Sequence, residues 1–339
     1  MRETIKALCS LDGISGREDR VREYIISQID GIAEYSVDPL GNLIVFKKGK
    51  KTPENKVMLD AHMDEVGFVV TYICENGLIK FAKVGGIKNK VIVGKNVRIG
   101  ESKIPGVTGI VPIHLVGADK RGEIPDDGEL YIDIGASSKE EAEKYVSPGD
   151  EVCFESDYVE MSENFIKAKA LDDRVGCAIL LEIIKSENEF DLWFSFSVQE
   201  EVGLRGAGVA AYNIKPDYAL VAETTTASDL PSVSEDKKVC LLGEGATVSF
   251  MDNATVYNHQ LFKRAFEIAK AKGIKAQVKT TVAGGNNAGA IHKTAGGIKT
   301  LTVSVPCRYL HSPSCVINYN DALESMRLLK ALAEDFADA

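Results

Sequence analysis

The spacing of apolar and polar residues divides the chain into stretches of different character. After Ser15-Gly-Arg-Glu, the residues Val21, Tyr24 and Ile25 recur at helical spacing, and Ser15 can cap the helix they predict. Leu43-Ile-Val-Phe46 and Lys56-Val-Met-Leu-Asp-Ala61 are short β-rich runs, and the second leads straight into His62. From about Val66 to Met161 the pattern becomes a series of short strand-like runs, at 68–73, 78–84, 91–99 and 151–154, parted by Gly, Pro and Asn-Gly signals. One helix is predicted within this stretch, over 138–146. Past Ala168 helix and strand alternate: a helix from Asp173, a strand at 192–198, a helix from Gly206, a strand at 218–222, a helix at 260–272, a strand at 298–305 and a last helix over 321–336. Such alternation predicts an α/β/α sandwich around a mainly parallel sheet, with the 66–161 stretch as a separate small β-rich domain.

Composition narrows the class of protein. Hydrophobic residues make up 45% and charged residues 27% of 339, which is enough apolar surface for a large core. A net charge of −10 opposes recruitment to nucleic acid or to an anionic membrane. The seven cysteines form no CxxC pair and read as free thiols of a reducing compartment. Apolar runs such as Cys177-Ala-Ile-Leu-Leu181 are too short to span a bilayer, and the first residues do not resemble a secretory signal, so the expected location is the cytoplasm.

Several candidates for chemistry fall where predicted strands end. His62 and Asp64 sit in Leu59-Asp-Ala-His-Met-Asp-Glu65, and residues i and i+2 of an extended segment share a face, so Asp64 can orient the His62 ring. A solvated histidine beside two acids is the alternative. Ala170-Leu-Asp-Asp-Arg-Val-Gly176 puts Asp172 and Asp173 at the mouth of a helix, where one acid is enough for a cap. Glu200 and Glu201 follow the strand Phe194-Ser-Phe-Ser-Val198; adjacent residues there point apart and can supply a metal ligand and a general base, or merely an acidic turn. Glu223 ends Tyr218-Ala-Leu-Val-Ala-Glu223, and His311 lies in Arg308-Tyr-Leu-His-Ser-Pro313. Two imidazoles and several carboxylates gathered at one sheet edge suit zinc, cobalt or manganese, whereas calcium would take oxygen alone.

Taken together and in this order, these motifs resemble the tetrahedral (TET) aminopeptidases, over nearly the whole chain. The resemblance implies two divalent metal ions per subunit, zinc or cobalt with manganese also compatible. It implies that His62 and Glu223 hold one ion, that Glu201 and His311 hold the other, and that Asp172 bridges them. Glu200 becomes the general base of a metal-activated bridging water, and Asp64 steadies His62. Asp173 follows the bridging acid across a strained peptide link, and Arg308-Tyr309 lead into the last ligand and brace it. The fold implied is a phosphorylase/hydrolase-like catalytic domain over 1–65 and 162–339. A PDZ-like dimerisation domain is inserted at 66–161, and dimers assemble into a homo-oligomeric dodecamer that trims short peptides. Two positions depart from the family pattern: Glu223 stands where many relatives have Asp, and Gly284-Gly-Asn-Asn-Ala288 lacks their Thr-Asp. Competing readings are an amidohydrolase or deacylase on the same scaffold, the endo-β-glucanase label that some relatives carry, and an inactive assembly scaffold.

Overall fold

The computed structural model describes residues 1–117 and 122–339. Apolar residues collapse into two separate cores. The larger is built on Leu59, Ala61, Phe194, Phe196, Leu220 and Val303, and the smaller on Phe68, Ile79, Val97, Ile132, Val152 and Phe154. Each Leu, Ile, Val or Phe among them contributes about 1.5–3 kcal/mol when fully buried.

The larger core fills an 11-stranded sheet. Four strands at its centre run parallel in the order Leu192–Ser197, Val57–His62, Tyr218–Thr226, Lys299–Arg308. Val57–His62 is buried at every position, as a strand covered on both faces must be. Helices Leu171–Lys185 and Tyr319–Ala337 pack together as one layer against these strands, and Arg205–Ile214 packs with Ala288–Ile291 as another. The expectation of a mainly parallel sheet is corrected: the sheet is mixed. Leu43–Lys47 and Cys315–Asn318 join the centre antiparallel, and further antiparallel strands extend both sides. Their connections explain this, since the link at 309–314 is too short for the crossover a parallel neighbour needs.

The smaller core fills a closed barrel of six strands: Gly67–Ile73, Ile79–Val84, Tyr131–Asp133, Ile104–Gly109, Asn96–Ile99 and Glu151–Phe154. Closure leaves no free strand edge. The strand Val159–Met161, grouped by its pattern with the inserted stretch, pairs instead with Phe165–Ala168 in the large sheet. The helix expected after Ser138 is a single turn, Lys139–Ala142.

Some local expectations shift. The helix after Ser15 starts at Asp19 and buries Val21, Ile25 and Ile29, while Ser15 spends its hydroxyl on Asp64 rather than on a cap. Glu223 lies inside its strand rather than after it. Among the described residues no helix is long and apolar enough to cross a membrane.

Candidate metal centre

The carboxyl ends of the central strands carry the chemistry. His62 closes its strand beside Ser197, and Asp64 lies just beyond. His62 Nδ1 donates to the Asp64 carbonyl oxygen at 3.0 Å and lies 3.3 Å from Asp64 Oδ1. The Asp64 carboxylate also accepts the Ser15 hydroxyl at 2.6 Å and the backbone N–H groups of Glu200 and Glu201 at 3.0 and 3.1 Å. One buried carboxylate therefore fixes the ring of His62 and the turn bearing Glu200 and Glu201.

With Nδ1 engaged, His62 presents Nε2 to Asp172 Oδ1 at 3.2 Å and Glu223 Oε1 at 3.6 Å. On the other side, His311 Nδ1 donates to the Gly86 carbonyl at 3.1 Å. Its Nε2 faces Asp172 Oδ2 at 3.4 Å and Glu201 Oε2 at 3.3 Å. The two oxygens of Asp172 thus look in two directions, one toward His62 and the other toward His311.

Anchors behind the site explain this placement. Arg174, fully buried, donates to the carbonyls of Met63 at 2.8 Å and Leu8 at 2.6 Å, tying the helix start to the segment after His62. Lys169 Nζ lies 2.5 Å from Glu65 and 3.3 Å from Asp12, so the Asp12, Glu65 and Cys153 cluster already holds a cation. The Asp172–Asp173 peptide is cis, and the first regular helical residues follow it. Gln199, Tyr309 and His311 all lie at positive φ, a sparsely populated region for such residues that tends to gather at functional sites.

Charge is the unresolved part of this geometry. Two like charges about 4 Å apart repel by about 4 kcal/mol at an effective dielectric of about 20. Burial raises the Glu201 carboxyl to about 8 and Glu223 to about 7, with the charge of Asp172 adding to both. Glu200 is pushed well above its usual range, again chiefly by burial. Burial would also raise Asp172, but its bonds to His311 and His62 outweigh that and hold it far below. Burial disfavours a charged His311, yet Asp172 and Glu201 raise it to about 10. Among the described residues no Lys or Arg forms an ion pair with Asp172, Glu200, Glu201 or Glu223. Glu201 Oε1, Glu223 Oε2 and Asp173 Oδ2 are buried without a hydrogen-bond partner. Donor atoms of His62, Asp172 and Glu201, and of His62, Asp173 and Glu223, lie within 4.8 Å of one another. This nitrogen and oxygen set, short of positive charge and with unused lone pairs, fits divalent transition metals.

All seven residues singled out in the sequence, His62, Asp64, Asp172, Glu200, Glu201, Glu223 and His311, converge here. Asp173 also enters, capping Gly176 N–H at 3.0 Å with one oxygen while the other stays free. Arg308 braces its strand end through two 2.7 Å bonds to Asp229, just before the His311 loop. Asn286 and Asn287 turn inward: Asn287 donates to Asp60 and Ser197, each at 2.8 Å, and Asn286 joins Tyr257, Asp252 and Thr302. Sequence reasoning missed Ser15, Lys169 and the Gly86 carbonyl; Gly85-Gly86 gave only a turn signal.

Residues 41–328 match the profile of the M42 glutamyl aminopeptidases. The chain belongs to this family. Peptidases of the M42 family are metal-dependent, and the site described above contains groups that could hold a metal ion. The chain is 39% identical over 332 residues to a protein of Acetivibrio thermocellus named as a candidate aminopeptidase, with 97% of each chain covered. It is 32% identical over 343 residues to the lysyl aminopeptidase of Pyrococcus furiosus, covering 98% of this chain and 96% of that one. Among solved structures, the TET1 peptidase of Pyrococcus horikoshii superposes with a TM-score of 0.86 at 35% identity, covering 98% of each chain. That peptidase assembles into a tetrahedron or a large octahedral shell.

Proposed function

We propose that this M42 peptidase removes N-terminal residues from short peptides with two divalent ions per subunit, zinc or cobalt with manganese compatible. The observation that carries the reading is Asp172, whose two oxygens lie 3.2 Å from His62 and 3.4 Å from His311. In this reading His62 and Glu223 hold one ion, Glu201 and His311 the other, and Asp172 both. When bound, the ions supply Lewis acidity toward the scissile carbonyl and the attacking water.

The protein's own residues do the rest. Asp64 keeps the His62 ring and the Glu200-Glu201 turn in register. Glu200, for which no side-chain bond competes among the described residues, takes the proton of the attacking water and returns it to the leaving amine. Burial holds its carboxyl above the usual carboxylate range, which favours keeping the proton once it has been taken from the water.

The assembly belongs to the same proposal. The barrel-bearing part of the 66–161 stretch, which has its own core and ends with the strand Glu151–Phe154, acts as a PDZ-like unit that builds dimers, and dimers close into a hollow dodecamer. Leu115 at 69%, Ile124 at 51% and Val111 at 43% exposure are apolar side chains this stretch leaves uncovered, which supports burial against other copies. A cytoplasmic location completes the reading.

The test is Glu200→Gln, which keeps size and hydrogen bonding but removes the base. Turnover of aminoacyl-coumarin substrates should fall by roughly 10²–10⁴-fold while elemental analysis finds the metal content unchanged. A variant that loses metal instead makes Glu200 a ligand and defeats the assignment.

A further inference from the structure

We propose that the Gly85-Gly86 turn of the barrel is a positioning element of the metal centre, one that shapes its His311 and Glu201 side and leaves the His62 and Glu223 side untouched. The inference rests on the two-ion reading above.

The turn is built to hold its place. It follows the barrel strand Ile79–Val84, Gly85 reverses the chain at φ +87°, and Ile87 and Ile92 drop back into the barrel core. From that footing the Gly86 carbonyl accepts the Nδ1–H of His311 at 3.1 Å. Among the described residues this is the one hydrogen bond made by that nitrogen. The contact spans two separate cores: the acceptor belongs to the barrel and the imidazole to the loop at 309–314 of the large sheet.

Both glycines touch the same side of the centre. A Cβ on Gly85 would come within 2.7 Å of Val66 Cγ1 and 3.3 Å of Glu201 Cβ, and one on Gly86 would meet His311 Nδ1 at 3.4 Å. At Gly85 an added Cβ would force Val66 to shift and press on Glu201, whereas at Gly86 it would reach only ordinary contact with the His311 ring, so Gly85 is the position where bare backbone is needed. A partner on the ring nitrogen that does not face the metal fixes the tautomer and the ring plane, and losing it typically weakens metal binding about 10–100-fold. His62 takes that partner from Asp64, two residues along its own segment. His311 takes it from another core, so the seat of the barrel sets the second ion's ligands and not the first's.

The experiment uses the intact chain, stripped of metal and dialysed against graded Co²⁺, with bound cobalt measured by elemental analysis and folding followed by thermal melting. Gly85→Ala is compared with Gly94→Ala, a control in the same barrel at φ +70° where an added Cβ meets nothing within 4 Å. Wild type and Gly94→Ala should bind two ions alike, whereas Gly85→Ala should bind the first as wild type does and the second about 10–100-fold more weakly. Should Gly85→Ala not fold, Gly86→Val tests the same side: its Cβ would already touch His311 Nδ1 at 3.4 Å, so the two added methyls would crowd that ring without a positive φ. Equal weakening of both ions, unchanged binding, or an equal loss in Gly94→Ala overturns the inference. A wild-type protein that binds fewer than two ions instead overturns the two-ion reading on which it rests.

Discussion

The two sides of the proposed metal centre both face Asp172 but are built from different material. His62 and Glu223 stand on neighbouring parallel strands of the core, and the His62 side chain is 1% exposed. His311 stands in a loop at positive φ with 34% of its side chain exposed, and Glu201 sits on a turn. Strands packed on both faces hold a ligand's rotamer through burial, whereas a loop needs specific bonds to do so. The difference teaches that one side is organised by its strands together with Asp64 close by in sequence, and the other by a turn and a loop that also lean on the barrel through the Gly86 carbonyl. The first should therefore take metal more tightly.

The largest blow to this contrast comes from the residue common to both sides. Asp172→Asn should lower occupancy of both ions and abolish activity, because an amide offers one neutral oxygen where two charged ones now face two histidines. Elemental analysis that finds two full ions in Asp172→Asn ends the bridging assignment.

A smaller effect sharpens the contrast. His311→Ala should empty the exposed side and leave one ion per chain, while His62→Ala should lose the tight ion and, by leaving Asp64 and Glu223 without their shared ring, disturb the neighbouring side too. Stoichiometry by equilibrium dialysis checks both variants. Equal, single losses would show two independent sides of the same strength.

Much of this contrast was legible in the sequence, and unevenly. The strand-borne candidates follow apolar runs whose ends are easy to see, so His62 and Glu223 could be placed on a sheet edge from Lys56-Val-Met-Leu-Asp-Ala61 and Tyr218-Ala-Leu-Val-Ala alone. The alternation past Ala168 likewise gave the α/β layers. The mixed character of the sheet was hidden because strand direction depends on which neighbours pair, and Cys315–Asn318 is a short run in a polar surrounding. Ser15 looked like a cap because its local sequence is that of a helix start; its real partner, Asp64, is distant in sequence. Gly86 contributes only a carbonyl, and a backbone atom leaves no trace in residue type.

The most direct test of the centre is anomalous diffraction from crystals soaked in limiting and then excess zinc. The account predicts one peak at limiting zinc, between His62, Asp172 and Glu223, and a second at excess, between Asp172, Glu201 and His311. A single peak at saturation, or a first peak on the His311 side, contradicts it.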